Sequence, residues 1–220
     1  MTSHDAQTSW SWSGAARSAA GELVALAHMV SSLPLRTFAA DTLALVDAHP
    51  VPVVLVHGIL GDRTNFAALR RHLANEGIRR FSCFAYRPRL DYQRIARDLG
   101  AHVDRVLRET GATQVDIVGH SLGGLVARYF MQTGGAGRVR RLVTLGTPYL
   151  AHTNPPQELA IFAADDPLVP PPVDGARRRM RVVDACGHLG LLTDTRVLGS
   201  IAAYLRPSLR LVAAIPPTAA

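Results

Sequence analysis

A chain of 220 residues, 48% apolar and 19% charged, has a globular composition and is long enough to bury one sizeable core. That composition excludes a disordered or collagen-like chain, and two cysteines exclude both a disulfide framework and a zinc cluster of several thiolates. The formal charge of +7 rests on 24 basic residues, every one an Arg, spread along an Ala-rich chain. This reads as codon usage in a GC-rich genome, so no nucleic-acid partner is expected.

Residues 1–50 form the first expected unit, an N-terminal helical extension. Leu23, Leu26, Ala27, Val30 and Leu33 give one amphipathic face, and Phe38 to Val46 suggests a second short helix. Packing of these helices, with Trp10 and Trp12, against the rest is one reading; the other has them cover a binding site or touch a lipid surface. No stretch of 18 apolar residues occurs, and no early cationic region marks a leader, so a cytoplasmic location is expected, with export by an unrecognised route as the alternative.

From residue 51 to 206 short apolar runs alternate with helical patterns. The runs are Val51 to Val56, Phe81 to Tyr86, Val115 to Val118, Arg141 to Leu145, Leu159 to Ala163 and Arg181 to Val183. Most are apolar at successive positions, as expected of strands covered on both faces of a parallel sheet. Between them, Phe66, Leu69 and Leu73 form one helical stripe, and Tyr92, Ile95, Leu99, Val103, Val106 and Leu107 form a longer one stopping at Gly111. Leu122 to Met131 starts a third helix, and Val197, Ile201 and Leu205 mark the last, before Pro207. The pattern predicts an α/β fold with right-handed crossovers, followed by a tail at 207–220. The dense run Arg177, Arg178, Arg179 and Arg181 reads as a solvated face, with docking to an anionic surface as the alternative.

The chemistry concentrates in Gly119-His120-Ser121-Leu122-Gly123, which follows an apolar run and opens a helix. That is the strand, sharp turn, helix context of a nucleophile elbow, where crowding around a strained serine demands very small residues at 119 and 123. A serine hydroxyl needs a base, and the base needs an orienting carboxylate, in the chain order Ser, acid, His. Only His152 and His188 follow Ser121. His188 comes after the last run, where a loop can turn it back toward the serine, while His152 is assigned to a polar loop. Asp165, Asp166, Asp174 and Asp184 compete as the acid. Asp166 is favoured, with Asp165 next, because both end a strand at the carboxyl edge where ligands of parallel sheets gather. Negative charge developing on a substrate oxygen calls for two backbone N–H groups, expected from Leu122 and from Ile59 in the loop His57-Gly58-Ile59-Leu60-Gly61. His57 and His120 flank these donors and are read as holding loops in place.

Val53 to Ile59, Val115 to Gly124, Thr144-Leu145-Gly146-Thr147-Pro148 and Gly187 to Leu192 together resemble the α/β-hydrolase lipases, in particular the small bacterial ones related to lipase A. The resemblance covers residues 51 to about 205. It implies an α/β-hydrolase fold with a mostly or fully parallel six-stranded sheet and helices on both faces. It implies Ser121 as nucleophile, Asp166 as acid, His188 as base, and Ile59 and Leu122 as oxyanion donors. Hydrolysis of carboxylic esters, acylglycerols included, would follow without metal or cofactor, on a small-molecule ester or lipid substrate. Thioesterase, acyltransferase or amidase chemistry, or binding without catalysis, are the rival readings of the same machinery. The 21 residues from Gly146 to Asp166 leave no room for an inserted cap, and Cys83 and Cys186 fall at opposite sheet edges, too far apart for a disulfide.

Overall fold

The computed structural model describes residues 40–44, 49–59, 61–87, 91–148, 155–172 and 179–206. The tryptophans, the helical stripe at 23–33, His152, Asp174, Arg177, Arg178 and the C-terminal tail lie outside them.

Six parallel strands form one sheet in the order β2-β1-β3-β4-β5-β6. In chain order β1 (Val53–Val56) leads through a 3₁₀ turn (Arg63–Phe66) to α1 (Ala67–Asn75) and β2 (Phe81–Phe84). Then come α2 (Tyr92–Thr110), β3 (Val115–His120), α3 (Leu122–Phe130), β4 (Val139–Leu145), β5 (Glu158–Ala163), β6 (Met180–Val183) and α4 (Thr195–Leu205).

The continuous apolar runs have a simple cause: the sheet is covered on both sides. Val53 and Leu55 of β1 pack with Leu69, Leu73, Ile201 and Leu205 from α1 and α4. Val54 and Val56 pack on the other face with Ile95, Leu99, Val103 and Val126 from α2 and α3. All of these are fully buried, and each large aliphatic side chain so removed from water contributes about 1.5–3 kcal/mol. The ends of α2 are set by chemistry at its caps. The Asp91 carboxylate accepts from the Arg94 N–H at 3.0 Å, and Gly111, at φ 67°, closes the helix with its N–H on the Leu107 carbonyl.

Strand ends shift by one or two residues from the sequence expectation, and three differences bear on the site and its frame. β3 runs on through Gly119 and His120, because both still pair with Thr144 and Leu145 of β4. The third helix gives way after Phe130 to a π-helical turn, Met131–Gly135, which contains Thr133 and Gly134 in non-helical conformations. β6 is an edge strand with Arg181 and Val182 exposed, so it is not covered on both faces.

The expected helix at 38–46 is corrected where it is described: residues 40–42 are irregular and Leu43 and Ala44 form a turn. This segment lies along the outer edge of β2. Thr42 donates its N–H to the Phe81 carbonyl (2.8 Å), its hydroxyl accepts from the Phe81 N–H (3.0 Å), and the Asp41 carboxylate accepts from the Cys83 N–H (2.9 Å). Side chains thereby occupy backbone groups that a further strand would otherwise use. Behind them Asp41 also accepts from the fully buried Ser82 hydroxyl at 2.7 Å, and Ser82 meets His102 Nε2 at 2.9 Å.

Cys83 lies in the edge strand β2, whereas Cys186 follows β6 at the opposite edge. Neither forms a disulfide and both are buried, and burial pushes the Cys83 thiol up to about 11.

Candidate active site

Between β2 and β3 the strand order reverses around β1, and the loops leaving β1 and β3 part at the carboxyl edge of the sheet, where ligands of open parallel sheets gather. The loops after β4, β5 and β6 reach the same edge.

Ser121 follows β3 and immediately precedes α3, with φ 53° and ψ −123°, a conformation an L-residue adopts only at a cost of about 1–3 kcal/mol. Its surroundings over-determine it. The Ser121 N–H donates to the Leu145 carbonyl at 2.8 Å, and the Ser121 carbonyl accepts from the Gly124 N–H (3.0 Å) and the Thr147 hydroxyl (3.1 Å). A Cβ on Gly119 would stand 2.6 Å from the Gly124 nitrogen, one on Gly123 2.2 Å from the Val56 carbonyl oxygen, and one on Gly124 2.0 Å from Thr147 Oγ1. At 123 the obstacle is backbone of a fully buried strand, which cannot move aside. Gly123→Ala is therefore expected to destabilise the fold by about 3 kcal/mol or more and to abolish activity, as measured by urea unfolding and by turnover.

Asp166 and His188 meet at this edge. His188 Nδ1 lies 2.6 Å from Asp166 Oδ2, and both residues are buried. The second carboxylate oxygen accepts the backbone N–H groups of Leu168 (2.8 Å) and Val169 (2.9 Å), a turn that fixes the carboxylate before any histidine arrives. Burial works against the charge on Asp166. The hydrogen bonds from His188, Val169 and Leu168 outweigh it, so the carboxyl is held below the usual carboxylate range. Asp165 and Asp184 are exposed.

The imidazole of His188 rests on the turn after β4. Gly146, at φ 51°, leaves space there, since a Cβ on it would sit 3.0 Å from His188 Nδ1. Among the described residues no direct hydrogen bond joins the Ser121 hydroxyl to the His188 ring. A gap of that kind is common when substrate is absent.

His120 packs against His188. Its ring centroid is 4.7 Å from that of His188, and its Nε2–H donates to the His188 backbone carbonyl at 3.2 Å. Complete burial, reinforced by neighbouring His188, pushes the His120 imidazole down to about 3, so it stays neutral and can keep its other nitrogen, Nδ1, toward Gly58. Gly58 in turn packs on Ser121: a Cβ there would approach the serine Cβ to 3.2 Å. This brings the loop that carries Ile59 against the serine, while Leu122 begins α3, where N–H groups lack intrahelical acceptors. His57 anchors the same loop. Its Nδ1–H donates to the Gly58 carbonyl at 2.7 Å, its ring stacks on Tyr86 at 4.4 Å, and the Tyr86 hydroxyl donates to the His57 carbonyl at 2.7 Å. Burial pushes the His57 imidazole below its ordinary value. Downstream, Asp62 and Asn65 form a reciprocal capping box that closes the loop.

The sequence reading missed the buried polar network behind the elbow. Arg128 of α3, 1% exposed, holds Glu158 of β5 with Nε (3.0 Å) and Nη2 (2.7 Å), and the Thr144 hydroxyl also donates to Glu158. The available signal was a charge inside the apolar stretch Val126-Ala127-Arg128-Tyr129-Phe130, matched by a carboxylate opening an apolar strand. Among the described residues no group of His, Cys, Asp and Glu could hold a metal ion, and no helix is long and apolar enough to cross a membrane.

A sequence model of the alpha/beta hydrolase fold family matches residues 51–171. A triacylglycerol lipase of Burkholderia plantarii is 35% identical over 122 residues, 50% of this chain and 32% of that protein. One from Pseudarthrobacter phenanthrenivorans is 35% identical over 121 residues, 50% of this chain and 36% of that protein. The match to this chain thus spans about a third of the length of these curated relatives. Among solved structures, a thermophilic esterase from Thermogutta terrifontis shares the fold with a TM-score of 0.55 at 19% identity, covering 71% of this chain and 89% of that one.

Proposed function

The chain belongs to the α/β-hydrolase fold family, and from that premise we propose that it is a serine hydrolase of carboxylic esters, acting on short- to medium-chain acyl esters or acylglycerols. The observation that carries the reading is the buried 2.6 Å pairing of Asp166 with His188 at the sheet edge that also holds the strained Ser121. The names of the two curated relatives support the substrate class.

In this mechanism Asp166 engages His188 Nδ1 and leaves Nε2 to take the proton of the Ser121 hydroxyl as its oxygen attacks the ester carbonyl. The N–H groups of Ile59 and Leu122 stabilise the oxyanion of the tetrahedral intermediate. Collapse expels the alcohol, which receives the proton from His188, and leaves an acyl-enzyme on Ser121. Water, deprotonated by the same imidazole, then releases the carboxylic acid. His120, neutral beside His188, places no second positive charge next to the imidazolium that forms in each half-reaction.

The test combines turnover with labelling. With p-nitrophenyl esters of graded acyl length the protein is expected to show saturable hydrolysis, and a fluorophosphonate probe is expected to leave one adduct, on Ser121, by peptide mass spectrometry. Absence of both adduct and turnover would overturn the proposal. Faster turnover of a thioester or amide bearing the same acyl chain would reassign the bond cleaved.

A further inference from the structure

We propose that Arg128 is a positioning residue for the catalytic pair, acting through the backbone carbonyl of Pro148; this rests on the hydrolase reading above. Its guanidinium is buried, and burial of a charge is costly unless partners meet its donors. Glu158 neutralises it from one side through Nε and Nη2. Nη1 points elsewhere, donating to the Pro148 carbonyl at 2.6 Å.

Pro148 belongs to the segment Gly146-Thr147-Pro148, on which both catalytic elements lean. Gly146 lies against the His188 imidazole, where a Cβ would stand 3.0 Å from Nδ1. Thr147 presses on Gly124 and donates its hydroxyl to the Ser121 carbonyl at 3.1 Å. Among the described residues the sheet secures this segment at its start: β4 stops at Leu145, and the Gly146 N–H makes a bond to the Ile161 carbonyl at 2.9 Å. Proline has no N–H with which to extend that ladder. Among the described residues, Pro148 is held by Arg128 instead.

The contacts close a ring. Ser121 leads into α3, α3 carries Arg128, Arg128 holds Pro148, and Thr147 returns to Ser121. Movement of the turn would shift the serine backbone and the bed of the imidazole together. A displacement of about 1 Å at such a site costs on the order of 100-fold in rate. Arg fits this role because its planar fork can serve a carboxylate and a carbonyl at once, whereas a lysine ammonium is a single point of charge.

The test uses the full chain in four forms: the parent; Arg128→Met with Glu158→Leu, which removes the pair while preserving volume; Arg128→Lys; and Leu73→Ala, a core truncation on the opposite face. The double variant is expected to fold and to lose 10- to 100-fold in kcat with KM within about threefold. Its rate of fluorophosphonate labelling should fall in parallel, and hydrogen exchange across residues 144–148 should rise. Arg128→Lys should recover part of the rate, and Leu73→Ala should lower the melting temperature with kcat kept. A folded double variant with kcat and labelling within twofold of the parent overturns the proposal, as does unchanged exchange across the turn. Equal kcat losses in Leu73→Ala and the Arg128 variants would show general loosening and overturn it too. If the double variant fails to fold, Arg128→Lys decides by the same kcat and exchange criteria. A parent protein without turnover or label would instead defeat the hydrolase reading, and the exchange comparison would still decide whether Arg128 fixes the turn.

Discussion

Ser121→Ala is expected to lower kcat by about 10⁴- to 10⁶-fold while the melting temperature stays within a few degrees of the parent. The two halves of this result have separate causes. The hydroxyl is the atom that becomes covalent with the acyl group, so its removal leaves only binding and oxyanion stabilisation. The backbone at 121, held by Leu145, Gly124 and Thr147, is the same for alanine. Retention of more than a tenth of the activity would reject Ser121 as nucleophile. Ser121→Gly separates strain from chemistry. Glycine is equally inactive but tolerates φ 53°, releasing about 1–3 kcal/mol against about 0.5–1 kcal/mol of added chain entropy. A net gain of about 1 kcal/mol corresponds to a rise of about 2–4 °C in melting temperature. A melting temperature for Ser121→Gly below that of Ser121→Ala would show that the serine conformation is not strained.

Asp166→Asn is the second large effect, a loss of about 10³- to 10⁴-fold in kcat. The carbonyl oxygen of the amide can still accept the Leu168 and Val169 N–H groups, so the loop keeps its shape. Its NH₂ group would then face His188 Nδ1, which must turn from donor to acceptor. That tautomer carries its proton on Nε2 and cannot take one from the serine. Activity within tenfold of the parent would exclude the carboxylate from this role. The substitution also changes the response to acid. In the folded state the Asp166 carboxyl is held below its ordinary value of 3.8, so its charged form favours the fold above about pH 4, and that contribution is lost as pH falls through the depressed value. Stability of Asp166→Asn should accordingly depend less on pH below about 4, measured by thermal unfolding at stepped pH.

Elements whose pattern is dictated by burial were legible before any coordinates. β1 is apolar at successive positions because it faces a helical layer on both sides, and α2 declares itself by a stripe of full turns closed by Gly111. The elbow was legible for a different reason: its residues are contiguous between a strand and a helix, although in space Gly123 answers to Val56 and Gly124 to Thr147. What stayed hidden depends on partners distant in sequence. Asp41 and Thr42 look like solvated residues until β2 is placed beside them, and Arg128 looks like a surface charge until Glu158 arrives from 30 residues on. The third helix, read as Leu122 to Met131, ends at Phe130, where the π-helical turn Met131–Gly135 takes over with Thr133 and Gly134 outside helical conformation.

The Asp41 and Thr42 contacts with β2 decide how this protein can be shortened. A version starting at residue 51 would discard both, leaving the Phe81 and Cys83 amides of an outermost strand open to pairing with another molecule. Such a fragment would be prone to polymerise, and any change in its catalytic profile would be confounded with self-association. A cut before residue 40 keeps that seal, and the contribution of the first 39 residues can then be measured on a monodisperse sample.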